Sequence, residues 1–256
     1  MCGTVTRLRG MARAQLGRNV ALRIMPAMQL ALFDLDGTIT RRDTLFPYVM
    51  GVCLRRPLRL ARVFWRMPGA LLHFFFHGKE RGPLKEALIV AGLSGLSRAE
   101  LAAANARFVA QLRQRGMHAE ALARIAAHRA QGDYLVLMSA SPDIYVPAVA
   151  RALGFNETIC TGVRWDGMLL DGELVTENRR GEEKRRCVEQ LRTRLPGCRI
   201  IGYGNSESDL PHLRICDRAY LVNGGDRALR EAAHSTVEIG WPPLPQKAPG
   251  RSAGPH

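Results

Sequence analysis

Met28-Gln29-Leu30-Ala31-Leu32-Phe33-Asp34-Leu35-Asp36-Gly37-Thr38 is the stretch on which the fold turns: an apolar run over 30–33 that stops at two carboxylates, i and i+2, and a glycine. A short continuous apolar run fits a strand buried inside a sheet covered on both faces. Charged groups straight after such a strand cost free energy unless a cation or a reaction uses them. Gly37 lets the backbone turn away at once. Ligands of a parallel α/β sheet gather beyond the carboxyl ends of its strands, so Asp34 and Asp36 are expected at a site.

Working outward, strands resume in the second half, over 134–138, 158–163 and 199–203, with helical segments between the first and last of them. Alternating strands and helices imply right-handed βαβ crossovers and a parallel sheet. Two Asp-Gly turns among the apolar residues of 165–175 suggest a small β-ribbon. Three further polar constellations fall where strands or helices would bring them to the same edge. Ser139 follows the run 134–138, and Ser141-Pro142 reads as an N-cap and first helical residue, a setting suited to an anion. Lys184 stands early on a helix, among Arg179, Arg180, Arg185 and Arg186, a kind of charge run that is usually a solvated face. The turn 202–209 supplies the amide of Asn205 and the carboxylate of Asp209, four residues apart.

Between the first and second strands lies a long insert, 46–128, with alanine, leucine and arginine at helical spacing, read as several helices and no strand. Arg55, Arg59, Arg62 and Arg66 recur at steps of four, three and four, which would line them along one helix face, with Leu54, Leu58, Ala61 and Trp65 on the adjacent face. A basic stripe beside an apolar one suits a helix in the headgroup region of an anionic membrane; the alternative is a cap helix with a solvated basic side. The expected organisation is an extension over 1–27, a core over 28–45 and 129–240, a helical cap over 46–128 and a flexible, proline-rich tail over 241–256. The extension is arginine-rich, has no acidic residue and no continuous apolar segment, and reads as unstructured rather than as a secretory signal.

The 256 residues carry 37 Lys+Arg against 23 Asp+Glu, a formal charge of +14, which favours anionic partners without choosing among phosphorylated substrates, nucleic acid and acidic lipid. Six cysteines stand far apart with no C-x2-C pair, the pattern of reduced thiols in a cytoplasmic protein rather than a zinc or redox site. No apolar run reaches the length of a membrane span, and the near-uncharged stretch 67–76 reads as a buried or interfacial helix.

Taken in order, FDLDGT, the isolated Ser139, Lys184 and the GNxxxD turn resemble the haloacid dehalogenase (HAD) superfamily of phosphohydrolases, over residues 30–209. The helical insert resembles the C1-type cap of the phosphoserine-phosphatase-like subfamily IB. The stretches Ser139-Ala140-Ser141-Pro142, Gly181-Glu182-Glu183-Lys184 and Asn205 to Pro211 resemble bacterial members that include the C-type phosphatidylglycerophosphatases. The resemblance implies an α/β fold, a HAD-like Rossmannoid core with an inserted cap, and the roles that go with it. Asp34 would attack phosphorus and Asp36 would serve as acid, then base. Ser139, Ala140 and Lys184 would bind the phosphoryl oxygens. The Asp34 carboxylate, the Asp36 carbonyl, Asn205 and Asp209 would hold Mg²⁺. Most relatives have Asp at the position of Asn205, so one anionic ligand is lost, and Asp209 becomes the carboxylate expected to bind the metal directly or through water. Asp43 stands where phosphoserine phosphatases have a substrate-binding glutamate.

The expected activity is Mg²⁺-dependent hydrolysis of a phosphomonoester, on a lipid phosphate such as phosphatidylglycerophosphate or on phosphoserine or another small metabolite, in the cytoplasm or at the inner face of a membrane. A haloalkanoate dehalogenase would share the nucleophile but has no use for an acid at Asp36. A basic nucleic-acid-binding protein would explain the charge and leave the buried acidic cluster unexplained, and no nucleic-acid motif is present, so no nucleic-acid partner is expected.

Overall fold

The computed structural model describes residues 28–76, 81–233 and 235–244, with 70–76 and 81 as backbone only. The expected extension over 1–27, the end of the tail and the side chains of most of the apolar stretch 67–76 lie outside that description. In chain order the elements are β1 (Gln29–Phe33), α1 (Leu45–Cys53), α2 (Pro57–Phe76), α3 (Arg81–Leu93), α4 (Arg98–Gln111), a π-helical turn Leu112–Gly116, α5 (Ala119–Gln131), β2 (Tyr134–Pro142), α6 (Val146–Leu153) and β3 (Glu157–Thr161). They continue through β4 (Val163–Asp166), β5 (Leu169–Leu174), α7 (Glu182–Arg194), β6 (Arg199–Gly204), α8 (Leu210–Leu213), β7 (Arg218–Leu221), α9 (Asp226–Ala232) and β8 (Glu238–Ile239).

Six strands pair in parallel in the order β3-β2-β1-β6-β7-β8, with helices on the faces, so the expected α/β architecture is found. The apolar run of β1 occupies the middle, with Leu30, Ala31, Leu32 and Phe33 all fully buried. Phe33 stacks on Tyr203 of β6 at 4.4 Å, locking the two strands whose ends carry Asp34 and Asn205. The chain builds outward from β1 through β2 to one edge and through β6 to the other, so the order reverses between β1 and β6. Sheets of this kind open a crevice at that reversal.

The insert contains helices and no strand among its described residues, as its pattern indicates. Helix α4 starts at a capping box, with the Ser97 side chain accepting from the Glu100 N–H and Glu100 reaching back to the Ser97 N–H. Its last helix departs from the expected division: α5 lies against β2, and His128 bonds both Asp133 and the Tyr203 hydroxyl under the sheet, so α5 belongs to the core layer although 46–128 reads as cap. The ribbon is present as the antiparallel pair β4–β5. Its tip pairs with the cap through Gly95 N–H to Leu170 O (2.7 Å) and Leu170 N–H to Leu96 O (2.8 Å). On the other side of the cap, Tyr48 stacks on Tyr145 at 4.5 Å and the Asn105 amide donates to Ile144 O at 2.7 Å. Cap and core are thus sewn together along two seams.

Three local expectations are corrected. Ser141-Pro142 does not start a helix: β2 runs on through Pro142, and α6 begins at Val146 after Tyr145. The arginine stripe is broken, because the chain leaves α1 at Cys53 and starts α2 at Pro57, and a residue before proline disfavours helical backbone. Arg55 therefore lies in a turn, while Arg59 folds inward and donates to Ser94 O at 2.7 Å, leaving Arg62 and Arg66 exposed on α2. The tail does not begin free at 241, since Trp241 stacks on Tyr203 at 5.7 Å and Arg124 donates to Pro242 O. The five cysteines among the described residues are free thiols, as their spacing indicates.

Candidate active site

The carboxyl ends of β1, β2 and β6 and the start of α7 surround a cavity of 110 Å³. Of the residues singled out by sequence, Asp34, Asp36, Asp43, Ala140, Lys184, Asn205 and Asp209 all line it. Ser139 does not. Its hydroxyl is buried one layer behind, accepting from the Ser141 N–H at 3.0 Å and donating to Asp36 Oδ2 at 3.3 Å, and Ser141 lines the cavity instead.

Asp34 is buried, its backbone N–H bound to Tyr203 O. Its Oδ1 accepts from Lys184 Nζ at 2.6 Å and its Oδ2 from the Thr38 hydroxyl at 2.9 Å. The same ammonium reaches Asp209 Oδ1 at 2.6 Å. On α7, Lys184 shares the buried face with Cys187, Val188 and Leu191, whereas Arg185 and Arg186 pair outward with Glu182, Glu183 and Glu189, so a solvated charge run hides one inward cation. Two carboxylates on one ammonium cannot be equally compensated. Asp209 also accepts from the N–H groups of Asn205 and Ser206 and from the Ser206 hydroxyl at 2.8 Å, and although burial opposes ionisation these partners hold it below the ordinary carboxylate range. Asp34 has fewer partners, and burial, with Asp209 and Asp36 adding to it against Lys184, pushes it up to about 7. Burial also works against Lys184, but Asp209 and Asp34 more than offset it and raise its value.

Asp36 points the other way. Its Oδ1 accepts from the Thr44 N–H (2.8 Å) and hydroxyl (2.5 Å), and its Oδ2 from the Ser141 hydroxyl (2.7 Å). Thr44 is held in turn by Tyr145 at 2.8 Å. Burial, helped by Asp43, raises Asp36 against these hydrogen bonds. Between the two carboxylates the backbone turns at Gly37 with φ +85°, and a Cβ there would stand 2.0 Å from Asn205 Nδ2. Glycine is required on both counts.

The unbalanced negative charge at Asp34 and the donor set beside it fit a hard divalent cation. The Asp34 carboxylate, the Asp36 carbonyl and Asn205 Oδ1 are oxygen ligands of the kind Mg²⁺ takes, with waters completing its shell. Asn205 Oδ1 has only a long contact, 3.4 Å, with the Thr38 hydroxyl. No three His, Cys, Asp or Glu side chains converge for a metal among the described residues. Asp209 lines the same cavity, with Oδ1 accepting from Lys184 and Oδ2 from the 205–206 turn. Accordingly Asn205→Asp should tighten Mg²⁺ binding by restoring an anionic ligand; calorimetric titration with Mg²⁺ checks this, and unchanged affinity would mean that Asn205 faces away from the metal.

Sequence reading gave no place in the site to Lys85, Asn178 and Arg180, which also line the cavity. Lys85 comes from the cap helix α3 and donates to Asn178 Oδ1 at 2.5 Å and to Ala140 O. Burial lowers it to about 8, with Asp36 and Asp43 opposing. No local pattern marks Lys85, because its role depends on where the cap meets the core. Asp43 also lines the wall, and its Oδ1 accepts from the Leu45 N–H at 3.0 Å, fixing the start of α1.

A buried nucleophile-like aspartate, a second carboxylate beside it and an inward lysine beneath a helical cap belong together in one class of enzyme. The chain is a member of the haloacid dehalogenase-like hydrolase family, whose family model matches residues 31–214, and is an enzyme of the HAD phosphatase type. It is similar to Protein CicA of Caulobacter vibrioides, 32% identical over 204 residues that cover 78% of this chain and 88% of that one. Among solved structures it resembles a Bordetella pertussis protein of unknown function (22% identity, TM-score 0.69, 84% of this chain and 98% of that one). It also shares its fold with a probable phosphoserine phosphatase of Vibrio cholerae (11% identity, TM-score 0.61, 86% of this chain and 64% of that one). A cap inserted between the first and second motifs agrees with subfamily IB.

Proposed function

We propose that the chain is a Mg²⁺-dependent phosphomonoesterase that works through an aspartyl-phosphate on Asp34. The observation that carries this reading is the Asp34 carboxylate, buried at the end of β1 and fixed by Lys184 and Thr38 in a cavity that also admits Asp36. Asp34 attacks phosphorus, the P–O bond to the alcohol breaks, and Asp36 gives its proton to the departing oxygen. Asp36 then takes a proton from water as that water attacks the acyl phosphate, releasing inorganic phosphate and restoring Asp34. Burial of Asp36 raises its carboxyl, which suits a group that must carry a proton. Lys184, Ser141 and the Ala140 backbone stand where they can bind phosphoryl oxygens, with Ser139 supporting Ser141 from behind. When bound, Mg²⁺ would offset charge on the phosphoryl group and the nucleophile.

The test is release of phosphate from p-nitrophenyl phosphate with Mg²⁺ and its loss in EDTA; no release from any phosphomonoester overturns the reading. Asp36→Asn should slow both half-reactions by roughly two to four orders of magnitude, the usual share of general acid–base catalysis. Stopped-flow and phosphate-release measurements separate the two steps, and a change confined to Mg²⁺ affinity would show the assignment to be wrong.

For the substrate we favour a lipid phosphate, of which phosphatidylglycerophosphate is the example, at the inner face of a membrane. Helix α2 supports it: Leu58 and Trp65 are 86% and 79% exposed, beside exposed Arg62 and Arg66. Large apolar groups flanked by cations suit the headgroup region of an anionic bilayer. No helix among the described residues is long and apolar enough to cross a membrane. Wild type should co-sediment with acidic vesicles and leave them as salt rises. Arg62→Gln with Arg66→Gln should weaken that binding by about 2 kcal/mol, roughly 1 kcal/mol for each cation at the surface. Phosphoserine is the second reading, supported by Asp43 in the cavity wall; absence of vesicle binding would favour it.

A further inference from the structure

The catalytic cavity shares Asp43, Leu45 and Lys85 of its wall with a second, much larger one. A groove of 920 Å³ runs between α1, α2 and α3, walled by Phe46, Leu60, Val63, Phe64 and Leu84. Its described polar side chains are Asp43 and Lys85, and these two, with Leu45, also line the catalytic cavity. Among the described residues, the groove is therefore polar at the side it shares with the catalytic cavity. Phe46 and Phe64, on its rim, are 58% and 73% exposed, an apolar surface that water leaves unsatisfied. Elsewhere the cap is closed onto the core, by the ribbon on one side and by the Tyr48–Tyr145 stack on the other. Leu45, Asp43 and Lys85 thus stand between the 110 Å³ cavity and this groove and face both.

We propose that the groove between α1, α2 and α3 is the subsite for an aliphatic chain of the substrate's alcohol, so that the enzyme selects phosphomonoesters with long alkyl or acyl chains. The occupant is the substrate's own chain, because the groove adjoins the phosphoryl site through Leu45 and its described polar side chains, Asp43 and Lys85, are the two it shares with that site. The proposal rests on the phosphatase reading and goes further by assigning specificity to cap side chains that do no chemistry. Lys85, held by Asn178 and Ala140 at the neck, would mark the boundary by facing the anionic end.

The experiment compares kcat/KM for monoalkyl phosphates from butyl to decyl, each below its micelle concentration and without vesicles, alongside calorimetric binding of butylphosphonate and decylphosphonate. Each methylene fully buried is worth up to about a fourfold gain, so kcat/KM and phosphonate affinity should both rise by at least about tenfold across the series. Phe64→Ser, at an exposed rim position, and Leu84→Trp, which fills the groove, should each flatten that rise. A flat or falling series in wild type overturns the proposal. A rise abolished by Leu58→Ser with Trp65→Ser but kept in Phe64→Ser and Leu84→Trp also overturns it, because chains would then adsorb on the outer side of α2. If no ester is hydrolysed, the phosphatase reading fails, and the phosphonate affinities still decide the groove.

Discussion

Asp34→Asn should abolish turnover, by on the order of 10⁴-fold or more, because an amide cannot form the aspartyl-phosphate on which both displacements depend. The fold should survive. Asn keeps the shape of the side chain, Asp209 continues to hold Lys184, and one of two carboxylates competing for a single ammonium is removed. Thermal unfolding should therefore show no loss of stability, while phosphate release falls to background. Substantial activity in a variant verified by mass would remove Asp34 from the mechanism.

Lys184→Ala carries the largest expected effect on stability. Lys184 is 2% exposed and is shared by Asp34 and Asp209, each at 2.6 Å, so its removal leaves two carboxylates buried together. Breaking a buried pair in this way costs about 3–5 kcal/mol, mostly as the penalty of the charges left behind. Denaturant titration measures it. The double variant Asp34→Asn/Lys184→Ala should recover about 1–3 kcal/mol relative to Lys184→Ala, since residues sharing one network do not act additively. Simple additivity of the two substitutions would mean that the ammonium does not join these carboxylates in solution.

Much of the framework is legible along the chain because its signals are local. The apolar run ending at Asp34, the runs at 134–138 and 199–203, and the Asp166-Gly167 turn each declare an element within a few residues, since burial and turn geometry act on neighbours, whereas Asp171-Gly172, which reads as a second turn, lies inside β5. The helical insert is legible for the same reason, and the order of FDLDGT, Ser139, Lys184 and Asn205 to Asp209 already brings the principal site residues together. Local reading fails where a side chain has two plausible partners. Ser141 looks like an N-cap, yet β2 carries it forward as a donor to Asp36. Arg59 looks like one member of a surface stripe, yet the end of α1 at Cys53 and a new helix starting at Pro57 put it onto Ser94 O. Lys85 carries no signal at all. Sequence alone determined which elements form and which chemistry they carry. Tertiary structure decided which charge meets which, because Lys184 and Asp34 lie 150 residues apart and become neighbours only when β1 and β6 pair at the centre of the sheet.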